Sequence, residues 1–258
     1  MEHKMRGYLP PMDPEKLKAL FEIENAFKAG QLSADEARLQ IKERVGKVSA
    51  YHVAYIEQTM TEETSDECIR EDVHAIINML GDQIDNTMPN LPADHPIMHY
   101  LKENEEMKRL LLAVEDLVQY PMIKNQWLEL YDKISQYPIH YKRKQNQLYP
   151  MLERKGFTRP TTTMWTFDDM VRDEIREAER LLREDKEDAF IKQQERVLLY
   201  ARDLMEKEEF ILYPTSMALI SEEEFEDMKS GDQEIGFAFF EVEHTAAEVK
   251  PQAAPAAH

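Results

Sequence analysis

The stretch His140–Leu152, HYKRKQNQLYPML, returns in outline at Leu204–Ser216, LMEKEEFILYPTS, and this repetition decides the fold. Superposing Leu148-Tyr149-Pro150 on Leu212-Tyr213-Pro214 sets His140 over Leu204, Lys144 over Glu208 and Gln145 over Glu209. Each copy is a helical pattern that runs through a polar patch and is disturbed at a proline, which has no N–H for the helix ladder. Each is also preceded by another long helical pattern. Two helices of one design, each with its own partner, make two hairpins and hence a bundle with polar groups projecting from facing helices into its middle. Metal sites in helix bundles are built in that way.

Composition agrees. The 258 residues suffice for one large or two modest domains with a true core, and 7 glycines are few for this length. Glu, Leu, Lys, Met and Ala dominate, which is the composition of long helices with short connections, so the fold class is all-α. A formal charge of -19 argues against nucleic acid or an anionic membrane as the main partner, since both require a positive surface. The single cysteine, Cys68, excludes an intramolecular disulfide and fits a reducing compartment; its acidic neighbours make it an inert thiol. No leader-like or membrane-length apolar run occurs, and a cytoplasmic location is expected.

Residues 1–14, with three prolines, read as an extended arm. Residues 15–81 read as a small domain of four short helices, with Gly30 closing the first and a capping box, Ser33 to Glu36, opening the second. Residues 82–93, rich in proline and asparagine and without periodicity, form the expected linker. Four long helices are predicted over 94–220: from an Asp94 cap to about Gln119, from Ile123 to Lys155 with a break at Pro138, from Met164 to Glu184, and from Glu187 to Tyr213. A short helix from Ser221 and a lone strand over Ile235–Glu241 complete residues 221–241, followed by a flexible tail over 242–258.

Turning each residue by about 100° places His99, Glu103, His140, Lys144, Gln145, Asp168 and Glu208 on or beside the apolar stripes of those four helices. His95 falls nearer the first helix's cap, and Glu209 lies at a stripe's edge. A carboxylate buried alone is too costly to stay ionised, so Asp168 and Glu208 must be protonated, paired with a cation or bound to metal. Two imidazoles with two or three carboxylates suit iron, manganese or zinc. Alternatively, Lys144 supplies the positive charge directly as a salt bridge to Glu208 or Asp168.

At this point the second half resembles the hemerythrin-like HHE cation-binding domain, an up-and-down four-helix bundle whose facing helices hold a non-haem, usually di-iron, centre. The resemblance is carried by His95-Pro96 to Glu103-Asn104, HYKRKQNQLYPMLERKGF from His140, MWTFDD from Met164, KEEFILYP from Lys207 and DQEIGFAF from Asp232. Residues 15–81 resemble the helical module that often precedes it, the domain of unknown function numbered 438, through Gly30, Val48-Ser49, Glu57-Gln58 and Asp72-Val73-His74-Ala75. Members often continue into a PAS sensor domain, which is not present in this sequence. The sequence departs from the family pattern at Met98, Gln145, Asp168 and Leu204, where the family more often has a second His, a Glu, a His and a His.

The resemblance implies a non-haem iron protein, mononuclear or di-iron, that senses or binds oxygen, nitric oxide or peroxide, or handles iron. Its ligands would be drawn from His95, His99, Glu103, His140, Asp168, Glu208 and Glu209. The alternative is a metal-free bundle that acts as a structural or signalling interaction module, with Lys144 in place of the metal charge. A protein partner would then dock, for instance through the N-terminal domain. No nucleophile with an adjacent base and no phosphate-cradling glycine loop occurs, so catalysis is not expected.

Overall fold

The computed structural model describes residues 2–11, 13–59 and 74–242, and its helix boundaries follow from proline, glycine and capping residues. The first described helices are α1 (Glu2–Arg6), α2 (Pro14–Lys28), α3 (Ala34–Arg44) and α4 (Ala50–Thr59). Asp13 caps α2, and the capping box expected at Ser33 and Glu36 is formed at α3. The arm expected over 1–14 is corrected in part: α1 lies within it and buries Met5. It rests where the chain turns at Gly156, whose φ of 90° favours glycine and where an added Cβ would sit 3.0 Å from the Met5 nitrogen. Residues 74–80 are helical, and residues 60–73 before them lie outside the described residues. Two short strands, β1 (Val48–Ser49) and β2 (Ile84–Asp85), pair in parallel.

The protein is all-α, as its composition predicts, and the second half is a helical bundle. Its members are α5 (Pro96–Leu117), α6 (Lys124–Ile134), α7 (Pro138–Arg143), α8 (Tyr149–Arg154), α9 (Arg159–Arg183), α10 (Glu187–Lys207) and α11 (Tyr213–Leu219). Helices α6, α7 and α8 are one long helical run, interrupted at Pro138 as expected. The longest helix pair, α9 with α10, packs along its length, and α5 meets both α6 and α10, which closes the bundle. Apolar residues fill the interior between polar layers; Phe190, for example, is buried edge-on against Trp127 and Tyr131.

The two repeat copies share one irregularity. Residues Lys144–Leu148 and Glu208–Leu212 are π turns, and the N–H of Tyr149 bonds the Lys144 carbonyl as the N–H of Tyr213 bonds the Glu208 carbonyl. In both copies a proline follows at once. Its ring presses on the carbonyl four residues back and it cannot donate, so the preceding turn opens to the wider i→i+5 form. That extra residue changes which side chain faces inward: Lys144 is fully buried while Gln145 is only half-buried, the reverse of what uniform helical rotation predicts.

The remaining helix, α12 (Glu222–Ile235), starts at the expected Ser221 capping box and packs across α5 and α7. The strand expected over Ile235–Glu241 is absent: Ile235 ends α12, and Gly236 turns the chain with φ 93° into an irregular segment. Its main-chain groups bond buried side chains instead of a neighbouring strand. The N-terminal helices are attached at the other flank, where α4 touches the second π turn, α9 and α11. There the Gln58 side chain accepts from the N–H groups of Thr158 and Arg159, at 2.8 and 3.0 Å, and so caps the start of α9.

Phe190→Ala should lower stability by about 3–5 kcal/mol through the cavity left between Trp127 and Tyr131. Equilibrium denaturation checks this, and a loss under about 1 kcal/mol would contradict the packing of α6 on α10.

Candidate metal centre

The π turns and α5 and α9 direct a group of charged side chains into the bundle. From α5 come Glu103 and Asn104, from α7 and the first π turn His140, Arg143 and Lys144, from α9 Asp168, and from the second π turn Glu208; all are buried. Lys144 stands between two carboxylates. Its Nζ donates to Asp168 Oδ1 at 2.6 Å and also to Glu208 Oε1. Positions 144 and 208 are the equivalent positions of the two repeat copies, so the duplicated design brings a cation and an anion face to face across the core.

His140 bridges the remaining carboxylates. Its Nδ1 lies 2.8 Å from Glu103 Oε2 and its Nε2 3.3 Å from Glu208 Oε1. Burial alone pulls its pKa down, but Glu208 and Glu103 outweigh this and hold it above the ordinary histidine value. Arg143 grips both oxygens of Glu103, each at 2.8 Å, in the bidentate geometry that makes such pairs strong. Glu208 and Glu103 are held below the usual carboxylate range despite their burial, Glu208 by Lys144 and His140 and Glu103 by His140 and Arg143. Asp168 is pushed up to about 6 by burial, which Lys144 only partly offsets.

Neutral donors complete the shell. Tyr149 donates to Asp168 Oδ2 at 2.8 Å, and Asn104 to Glu208 Oε2 at 2.9 Å and to Glu209 Oε1 at 3.1 Å. Tyr137 in turn donates to Asn104. The segment after α12 closes the other side, where the N–H of Ala238 donates to Glu103 Oε1 at 2.7 Å and Arg143 donates to the Gly236 carbonyl at 3.3 Å. Asp232 of α12 is buried 3.6 Å from Arg143 Nε and is pushed up to about 7 by burial.

The structure therefore brings together four of the seven residues expected as ligands, Glu103, His140, Asp168 and Glu208, and leaves three apart. His95 caps α5, its Nδ1 accepting from the N–H of Ile97 at 3.2 Å while its ring lies on Phe225. His99 is enclosed by Phe237 and Phe240, and burial, aided by Arg143, pushes it down to about 4. Glu209, partly exposed, pairs with Lys108 at 2.8 Å. Helical rotation did not pick out Arg143 or Asp232. A signal existed for both: Arg143 lies three residues from His140, and Asp232 continues the Phe225, Met228 stripe of α12.

Residues 95–216 match the family model of the hemerythrin HHE cation binding domain. None of the curated proteins matches the chain. The matched region contains every member of the buried group except Asp232 and the segment beyond it, and the family description implies a bound cation, commonly iron. The buried donors do not fit one as they stand. Every oxygen of Glu103, Asp168 and Glu208 already lies within hydrogen-bonding distance of Lys144, Arg143, His140, Tyr149, Asn104 or Ala238, and each ring nitrogen of His140 already faces a carboxylate. Two buried cations, Arg143 and Lys144, with His140 raised in pKa beside them, already stand against Glu103, Asp168 and Glu208, the charges a dication would otherwise balance. Among the described residues, the one set of three His, Cys, Asp or Glu side chains with donor atoms all within 4.8 Å of one another lies elsewhere, at His74, Asp203 and Glu206.

Asp232 gives this arrangement a pH dependence. Its folded pKa exceeds the unfolded value, so between about pH 4 and 7 the native protein keeps a proton that the unfolded chain has lost, and this group's contribution to stability falls as pH rises. Asp232→Asn should therefore gain on the wild type across that window, by up to about 1.4 kcal/mol per pH unit, and level off above it. Denaturant midpoints of both proteins from pH 4 to 8 measure the difference; a constant offset would show that Asp232 does not titrate there.

Proposed function

We propose that this protein is a hemerythrin-type bundle that carries its own cation and works as a structural or signalling module. The observation that carries the reading is Lys144 Nζ, bonded to Asp168 and Glu208 at the centre of the buried group. An ammonium there satisfies the same electrostatic demand as a metal ion, with no need to recruit one. The signalling part of the reading is supported by the C-terminal segment. Gly236 and Ala238 bond the charge network directly, so the segment that follows α12 is mechanically joined to Glu103 and Arg143.

A second reading is favoured by the family match: iron bound among His140, Asp168, Glu208 and Glu103, with oxygen, nitric oxide or peroxide as the small ligand. It requires Lys144 to leave the two carboxylates and a ring nitrogen of His140 to exchange its carboxylate partner for the ion. The N-terminal helices, similar by their residues to the domain of unknown function numbered 438, are the proposed contact for a protein partner, and the surface charge of the chain favours a partner that is not nucleic acid.

The two readings separate on one residue. Lys144→Met should destabilise the protein by about 3–5 kcal/mol, because Asp168 and Glu208 are left buried and unpaired, while adding Asp168→Asn and Glu208→Gln should restore much of the loss. Anaerobic incubation with ferrous iron, done on His74→Ala protein so that the outer cluster does not contribute, should leave iron at background and no visible band in air. One or two iron ions per chain in that protein, with Lys144→Met tolerated, would replace the first reading by the second.

A further inference from the structure

The His74, Asp203 and Glu206 cluster lies outside the bundle core and is not used by the reading above. Asp203 and Glu206, three residues apart, project from one face of α10, and His74 reaches them from the helical residues 74–80 of the N-terminal part. His74 Nδ1 is 3.1 Å from Glu206 Oε2 and 3.4 Å from Asp203 Oδ1. Ligand atoms about 2.1 Å from a tetrahedral ion stand about 3.4 Å apart, so these separations already approximate half of a coordination sphere. Asp203 is 7% exposed and its Oδ1 also accepts from buried Lys207, while His74 and Glu206 are open to solvent at 47% and 32%.

A second feature points to the same place. The three residues line the wall of a cavity of about 810 Å³ whose other lining includes Leu199, Phe210 and the cationic Lys108 and Arg202. An ion held by three protein groups at a cavity wall keeps its remaining positions for water or a small ligand, the arrangement of an open metal site.

We infer that His74, Asp203 and Glu206 bind a divalent first-row transition ion of the zinc or ferrous class, with its open positions facing the cavity. One imidazole and two carboxylates suit such borderline ions better than calcium or magnesium, which favour all-oxygen shells. Bound there, the ion would cross-link the N-terminal helices to α10.

Titration of the full chain with zinc by calorimetry, and with cobalt by visible absorption, tests this site. One ion per chain is expected, with a cobalt d–d band and a zinc-dependent rise in melting temperature. His74→Ala and Glu206→Gln, both partly exposed and so expected to keep the wild-type fold by circular dichroism, should each weaken binding at least tenfold and abolish the rise. Absence of saturable binding below about 1 mM, or binding undiminished in His74→Ala, would overturn the assignment. Because iron uptake by the core is measured in His74→Ala protein, failure of either conclusion is seen without reference to the other.

Discussion

The pairing of Lys144 with Asp168 and Glu208 is the constraint around which the bundle is arranged. Three charges in a dry interior are tolerable only when their hydrogen-bonding capacity is filled, since an unpaired member carries the full desolvation penalty. Here Tyr149, Asn104 and His140 fill it, and Arg143, next to Lys144 in the chain, performs the same service for Glu103. A network satisfied to this degree specifies one arrangement of its helices, because sliding any of them would strand a charge.

The two π turns are what make the pairing geometrically possible. Each widens its helix just before a proline, and positions 144 and 208, which open the two turns, are both fully buried. A regular helix would have shared the inward direction with Gln145, whose shorter amide could not neutralise two carboxylates. The same disturbance in both halves of the bundle sets the cation and the anion at one level, with His140 alongside and Leu204, its counterpart, buried among apolar neighbours.

Much of this was legible in the residues. The repeat, the capping boxes at Ser33 and Ser221, and the prolines at 138, 150 and 214 locate the helices, because each acts through local backbone chemistry. Glu103, His140, Asp168 and Glu208 are recoverable from periodicity, because on these helices the stripe and the core coincide. His95 and His99 look equivalent to them in one dimension, yet one serves the helix start and the other meets the phenylalanines of a later segment. Those are tertiary facts. Arg143 and Asp232 escaped for a related reason: a charged residue beside a stripe is usually solvated, and only the return of the chain over α5 buries them. The strand assignment over Ile235–Glu241 does not hold because the aromatic residues there pack on the His99 and Tyr137 rings and the Arg143 guanidinium, with no second strand beside them among the described residues.

The contacts made by Gly236 and Ala238 are main-chain contacts, an amide hydrogen to Glu103 and a carbonyl oxygen to Arg143. Such bonds are indifferent to side-chain identity, so the polar stitch does not depend on the ring of Phe237 between them, which packs on His99 and Arg143. Proline at 238 is the exception, since it removes the donor. The joint between the bundle and the segment after α12 is thus made in the backbone, out of reach of most side-chain substitutions.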